Sequence, residues 1–457
     1  MKPKEILFES IEGNSSKRVP WVTFVGCHGG KLIDVKAEEY LKSEDLIVKG
    51  ISKAIELYEP DGIPVIFDLQ VEAETLNCKL QWNKDNPPTV IGHPLSEGTE
   101  LSELQIPNKT EGRFPKILNA MERINDKFGD EIALYGLITG PFTLGLHLLG
   151  SQIFMEMFDN PAYVKKLMNF TKKVAKKTAE MYIEAGMDVI AVVDPMTSQI
   201  SPKDFGSMVK PEVKEVFEHI RSLDAYSSFF VCGDAKQNIE EMCKSKPDNI
   251  SIDENIPLDY VKDISNKYDI SFGGNMELTT VLLMGSPQKA KKHALECMEI
   301  GGEKGYILSP GCDIAYDTPA ENIQAVSEVV HNKDAYDLMD DFEEIEEENI
   351  EIELPDYENE EKVYIEIFTL DSKSCAPCQY LVNSVYEAIS DEMKEEIVLN
   401  EYKIKEKESV ARMKKLNVDS IPSVLIDGES KYQGTPNKSE LQEEIINKIK
   451  EKTRNLS

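Results

Sequence analysis

The chain predicts an α/β protein in two parts, a (β/α)8 barrel followed by a small βαβαββα domain. Three observations lead there. Eight short β-rich runs alternate with long stretches of helical spacing over the first 333 residues. An acidic stretch then interrupts the pattern, and a second, shorter alternation of strands and helices follows it. At 457 residues the chain exceeds one small core and suits two or three domains.

The candidate strands are VPWVTFVG (19–26), IPVIFDL (63–69), IALYGLITG (132–140), DVIAVVD (188–194), SSFFVCG (227–233), NISID (249–253), ISFGGN (270–275) and YILSPG (306–311). Between them lie segments such as PAYVKKLMNFTKKVAKKTAEMYIEAG, each able to turn one apolar face to a sheet. Eight parallel strands close a barrel, and barrel chemistry sits at the C-terminal strand ends. Those ends carry Cys27 and His28, Asp68, Asp194, Cys232, Asp253 with Glu254, Asn275 and Cys312. A lone buried Cys is usually a small apolar filler, and an Asp after a strand is often a helix cap. Joint placement after separate strands points to a pocket.

From Asp334 to Glu361 there are fifteen acidic residues and no Lys or Arg, so 334–361 reads as an extended acidic linker. The formal net charge of −32 excludes unaided binding to nucleic acid or to an anionic membrane. No run approaches the length of a bilayer span, and the N-terminus lacks the pattern of a signal peptide, so a cytoplasmic location is expected. Eight cysteines in a reducing compartment suit free thiols, metal ligands or redox centres. Cys78, Cys243 and Cys297 lie away from strand ends and read as packing residues, as do His93 and His147.

In residues 362–457, VYIEIFTL, EIVLNEYKI, SVLIDG and KYQG supply strands, and CAPC (375–378) opens a helix. The order resembles thioredoxin or glutaredoxin. A helix N-terminus stabilises a thiolate at Cys375, and Cys378, one turn on, can resolve a mixed disulfide. No second CxxC or His pair lies nearby to make a zinc knuckle. The resemblance makes Ile421-Pro422 the candidate cis-proline element that faces the CxxC.

The barrel part resembles the uroporphyrinogen decarboxylase superfamily, in particular its methylcobamide:thiol (coenzyme M type) methyltransferase branch. The carrying segments are IPVIFDLQVEAETLNC (63–78), TVIGHPL (89–95), ITGPFTLGLHLLG (138–150), AGMDVIAVVDPMTSQISPKDF (185–205), FVCGD (230–234), GGNMELTTVLLMGSP (273–287) and ILSPGCDIAYDTPAENIQAV (307–326). The resemblance implies methyl transfer from methylcobalamin, held on a corrinoid partner protein, to a thiol bound on Zn2+, or in some relatives to a tetrahydropterin. In that branch the zinc ligands are the His and Cys of an HxC motif and the Cys of SPGC. Cys232 and Cys312 match two of them, but Phe230 stands where the His belongs.

Two thiolates alone make a poor zinc site. Three expectations follow: Cys27, His28 or Glu254 replaces the missing ligand; transfer proceeds without metal; or Cys232 and Cys312 form a reversible disulfide that the CAPC reduces, with a thioredoxin-type reductant behind it. Asp68 and Asp194 are candidates for orienting the acceptor or buffering a proton. Uroporphyrinogen decarboxylation is the rival reading. Its substrate carries eight carboxylates and calls for arginines, whereas the barrel region holds only Arg18, Arg113, Arg123 and Arg221. A non-catalytic corrinoid-docking adaptor with thiol–disulfide activity is the other alternative.

Overall fold

The computed structural model describes residues 1–332, 350–370, 376–418, 421–434, 436 and 438–455. The chain divides into two compact units between residues 332 and 350.

The strands of the first unit are β1 (Gly62–Pro64), β2 (Lys79–Gln81), β3 (Thr89–Gly92), β4 (Ala133–Thr139), β5 (Val189–Val193), β6 (Tyr226–Val231), β7 (Asn249–Ile252), β8 (Ser271–Met276) and β9 (Tyr306–Pro310). β2 and β3 form a separate hairpin, and the other seven make one parallel sheet in the order β1-β4-β5-β6-β7-β8-β9. The eighth expected strand, 19–26, is reduced to two parallel bridges, Trp21 to Leu308 in β9 and Val22 to Gly62 in β1. It thereby joins the two sheet edges. Its Val22 N–H donates to Leu308 (2.9 Å) and its Thr23 N–H to Gly62 (3.3 Å). Pro20 has no N–H to extend the ladder backwards, and beyond Thr23 the chain folds in on itself, with the Val25 N–H bonded to the Thr23 carbonyl.

Inside the barrel, period-two alternation turns Ala133, Tyr135 and Leu137 of β4 and Val189, Ala191 and Val193 of β5 to one apolar cluster with Phe24, Phe67, Phe230 and Ile307. The helix Pro3–Ile11 adds Leu7 and Ile11 to that cluster. Its Lys4 N–H donates to Glu131, at the N-terminal side of the strands, so the helix plugs that end. Residues between the inward ones, such as Leu134, Ile138, Ile190 and Val192, are equally buried and face the outer helices.

The second unit has β10 (Val363–Thr369), β11 (Ile397–Lys403), β12 (Ser423–Ile426) and β13 (Glu429–Gln433) in the order β11-β10-β12-β13, with β10 and β11 parallel and the other pairs antiparallel. Its helices are Ala376–Ala388, Lys407–Lys415 and Lys438–Asn455. The core gathers Ile365, Ile367, Leu381, Val385, Val424, Leu441 and Ile445.

Of the acidic stretch expected as a linker over 334–361, only the part from residue 350 is described. That part is tied to the second unit: Lys415 Nζ donates to the Ile352 carbonyl (2.6 Å), Arg412 Nη1 to the Glu353 carbonyl (3.4 Å) and Lys452 Nζ to the Tyr357 carbonyl (2.9 Å). Tyr357 also donates its hydroxyl to the buried Glu366 (2.7 Å), which Arg412 neutralises at 2.6 Å. Basic residues far along the sequence thus satisfy a segment that has none of its own. Residues 334–349 lie outside the described residues. Among the described residues no helix is long and apolar enough to cross a membrane.

Candidate active site at the barrel mouth

β6 sets the site. Residues two apart on a strand share a face, so Phe230 and Cys232 both point inward. Phe230 is fully buried, with its ring 4.8 Å from that of Phe24 and 6.1 Å from that of Phe67. Cys232 and Cys312, half-buried against the same apolar cluster, meet and form a disulfide across 80 residues, with their Cα atoms 5.9 Å apart. They come from the ends of β6 and β9, which two further strands separate in the sheet. The bond therefore spans the mouth.

Acidic residues from the β7 end hold both cysteine loops. Asp253 accepts the Gly233 N–H at 2.7 Å, fixing the turn after Cys232, where Gly233 has φ +89°. The same carboxylate accepts the Asn255 N–H (3.0 Å) and side-chain amide (2.5 Å). Glu254 lies against Gly311, the residue before Cys312, so closely that a Cβ there would meet the Glu254 backbone nitrogen at 2.6 Å. One Glu254 oxygen accepts the Leu278 N–H. Burial, and next the Asp253 carboxylate, push the Glu254 carboxyl upward, so it holds its proton more readily than an ordinary glutamate. Asn275 braces this corner by donating to the carbonyls of Asp253 (3.2 Å) and Ile256 (2.7 Å).

Asp68 and Asp194 are committed to structure. Asp194 caps the helix Pro141–Leu149, accepting the Phe142 N–H (3.1 Å), the Thr143 N–H (2.7 Å) and the Thr143 hydroxyl (2.6 Å). Burial raises its carboxyl to about 6. Asp68 accepts Arg113 Nη1 (2.7 Å) and the Gln70 N–H (2.9 Å). Arg113 in turn binds Glu74 at 2.5 Å and lies over Trp82, 4.9 Å from the ring centre.

Of the candidate replacement ligands, Glu254 lies beside the Cys312 loop, while His28 and Cys27 are buried in other surroundings. His28 has both ring nitrogens engaged, Nε2 with the Tyr58 hydroxyl (2.6 Å) and Nδ1 with the Tyr316 carbonyl (3.0 Å), and burial lowers it to about 4. Cys27 is buried, and burial followed by the nearby Asp313 carboxylate keeps its thiol protonated. Among the described residues no three His, Cys, Asp or Glu side chains are gathered so as to hold a metal. The residues present therefore do not fit the three-ligand zinc of the HxC pattern, because Phe230 fills the third position with a ring that packs and cannot coordinate.

Sequence reasoning passed over Asp313 and gave Arg113 no role at this mouth. Asp313, directly after Cys312, accepts the Gly26 N–H at 2.7 Å and so joins the last strand loop to the first; burial and then Asp68 raise its carboxyl well above the usual range. Its adjacency to Cys312 was the available signal. Arg113, on a loop before the helix Phe114–Phe128, carries no local signal beyond being one of the four arginines of the barrel region. Glu72, in the VEAE segment, is buried against Thr139 at the end of β4, accepting its N–H (3.1 Å) and hydroxyl (2.9 Å), and burial raises it to about 7.

In the second unit Cys378 is buried in the first turn of Ala376–Ala388 and is disulfide-bonded, while Cys375 lies outside the described residues. The Ile421–Pro422 peptide is cis.

Comparison with known proteins places both units. Residues 2–333 match the family model for uroporphyrinogen decarboxylase (URO-D), and residues 363–446 match a thioredoxin domain. The methylcobamide:CoM methyltransferase MtbA of Methanosarcina acetivorans is 25% identical over 336 residues, covering 72% of this chain and 98% of that protein. A uroporphyrinogen decarboxylase of Anaeromyxobacter dehalogenans is also 25% identical, over 306 residues, 64% of this chain and 86% of its own. Among solved structures, a methyltransferase from Methanosarcina mazei shares the fold with a TM-score of 0.67 at 24% identity, over 74% of this chain and 98% of that one. With the family model matched from residue 2 to residue 333, the chain belongs to the uroporphyrinogen decarboxylase family and continues into a thioredoxin domain.

Proposed function

We propose that the barrel is a corrinoid-dependent methyltransferase, taking a methyl group from a methylcorrinoid on a partner protein and passing it to a small thiol or reduced pterin seated over the strand ends. The observation that carries this reading is the convergence of Cys232 and Cys312, the two positions that match the cysteines of the methyltransferase branch, at the barrel mouth. In such a transfer the corrinoid carbon–cobalt bond breaks with its electron pair left on cobalt, and the acceptor loses one proton. Glu254, whose backbone lies beside the Cys312 loop and whose carboxyl is pushed upward by burial and by Asp253, is the candidate group to take up that proton. Because no three metal-ligating side chains gather among the described residues, the acceptor is read as one that enters without metal activation.

The decarboxylase alternative meets an electrostatic objection. All four arginines of the barrel unit are already in ion pairs: Arg18 with Asp61 (2.6 Å), Arg113 with Asp68 and Glu74, Arg123 with Asp45 (2.7 Å) and Arg221 with Asp248 (3.4 Å). A substrate with eight carboxylates would have to compete with each of these partners.

The test is spectroscopic. The reduced full chain is mixed with methylcobalamin and, in separate samples, a small thiol or tetrahydrofolate, with uroporphyrinogen turnover assayed in parallel. Acceptor-dependent loss of methylcobalamin is expected. Demethylation with neither acceptor, together with decarboxylation of uroporphyrinogen, would sink the proposal.

A further inference from the structure

We infer that the Cys232–Cys312 pair is an exchange site for small thiols and small disulfides, which switch the barrel mouth between a bridged and an open form. This property stands apart from methyl transfer and lies wholly within the first unit.

Access, anchoring and the lack of a competing ligand set carry it. The two cysteines come from loops after β6 and β9 and are bonded with their Cα atoms 5.9 Å apart, within ordinary disulfide reach. Both are half-buried at the mouth, whereas Cys27, Cys78, Cys243 and Cys297 are unpaired and buried, at 2%, 6%, 1% and 5% exposure. A thiolate arriving from solution therefore meets this bond ahead of any other barrel sulfur. The loops that bring the sulfurs together are also held without them. On the β6 side the Gly233 N–H donates to Asp253 (2.7 Å), and the Phe230 carbonyl accepts the Asp194 N–H (2.9 Å). On the β9 side the Gly311 N–H donates to the Met276 carbonyl (3.0 Å), the Ile314 N–H to the Phe24 carbonyl (2.9 Å) and the Gly26 N–H to Asp313 (2.7 Å). None of these hydrogen bonds uses a cysteine, so opening the bond removes no anchor and closing it again requires no search. Phe230, buried against Phe24, offers no donor atom, and among the described residues no third ligand gathers with the pair to hold its sulfurs apart on a metal.

The exchange balances. A small thiolate attacks one sulfur of the barrel disulfide, forming a mixed disulfide as the other barrel sulfur leaves as thiolate and takes up a proton. A second small thiolate attacks the sulfur of the first, and the remaining barrel cysteine departs and is protonated in turn. Two electrons pass to the barrel, and two small thiols become one small disulfide. Oxidation runs the same steps backwards, with the small disulfide as oxidant. In the bridged form the ends of β6 and β9 are tied across the mouth, and in the open form two thiols face it.

The experiment counts thiols. The full-length chain, and the same chain carrying Cys378→Ser, are equilibrated without denaturant in mixtures of reduced and oxidised dithiothreitol. Each sample is alkylated with N-ethylmaleimide, and every cysteine peptide is quantified by mass spectrometry. Cys232 and Cys312 are expected to open together in both chains, their dithiol-to-disulfide ratio rising about tenfold for each tenfold rise in the dithiothreitol ratio. In the reduced native chain they should be alkylated at least about tenfold faster than Cys27, Cys78, Cys243 and Cys297. In a Cys312→Ser chain, Cys232 should stay alkylatable at every dithiothreitol ratio and take up one glutathione from glutathione disulfide. Full alkylation of Cys232 and Cys312 at every ratio would overturn the proposal, since no bond would then form. Protection at every ratio short of denaturation would overturn it as well, because the bond would then be a fixed brace, and so would loss of the transition in the Cys378→Ser chain. None of these readouts uses methylcobalamin, so failure of the transfer assay and failure of the exchange remain distinguishable.

Discussion

If Phe230 has displaced a ligand, then Phe230→His should recreate a zinc site. The substitution puts an imidazole on the same face of β6 as Cys232, beside Cys312, and supplies the third donor that the corner lacks. Without metal it is costly. The ring lost is fully buried between Phe24 and Phe67, and its replacement brings two polar nitrogens into that cluster, a destabilisation of about 2–4 kcal/mol. For a unit of this size that lowers the melting temperature by roughly 3–6 °C. Zinc at a hundredfold excess over its dissociation constant returns about 2.7 kcal/mol, which offsets most of the loss. The assay is elemental analysis of the reduced, gel-filtered protein beside melting curves with and without zinc; the thiols must be reduced because the ligands are thiolates. Near one zinc per chain is expected for Phe230→His, and far less for the unmodified protein and for Phe230→Leu. A reduced Phe230→His protein that binds no more zinc than Phe230→Leu and gains no thermal stability from the metal would refute the displaced-ligand argument.

Three further outcomes rest on particular contacts. Glu72 is raised in the folded state from 4.5 to about 7 by burial, so the stability tied to its protonated form is fully present below about pH 4.5 and is lost as pH rises through 7. Glu72→Gln, which does not titrate, should therefore gain on the parent in chemical denaturation across that interval, by at most about 3 kcal/mol, and a pH-independent difference would count against it. Arg113→Leu leaves Asp68 buried without its cation and should cost about 3–5 kcal/mol in the same assay, more than the Asp68→Asn/Arg113→Leu double variant. Arg412→Leu removes the partner of the fully buried Glu366 and one anchor of the 350–357 segment, so limited proteolysis should cut that segment several-fold faster.

The barrel was legible because its signals are local. All seven strands of the parallel sheet were visible as apolar runs. Two local readings overreached. Residues 19–26 look as much like a strand as any other run, but a proline without an N–H and a fold at Thr23 leave only two bridges. The acidic stretch looks unpartnered until Arg412, Lys415 and Lys452, some 50 to 100 residues away, are placed against it.

The chemistry of the mouth was harder to read because it depends on which groups are already spoken for. Asp194, His28 and Asp68 all have the composition of catalytic residues, yet a helix N-terminus, a tyrosine with a carbonyl, and a buried arginine consume their polar atoms. What those commitments leave at the corner is a pair of sulfurs and a protonatable Glu254. One aromatic ring decides what the sulfurs are. With a nitrogen donor at position 230 they would be two of three ligands, kept apart by a cation. With a phenyl group there, nothing separates them and they bond to each other.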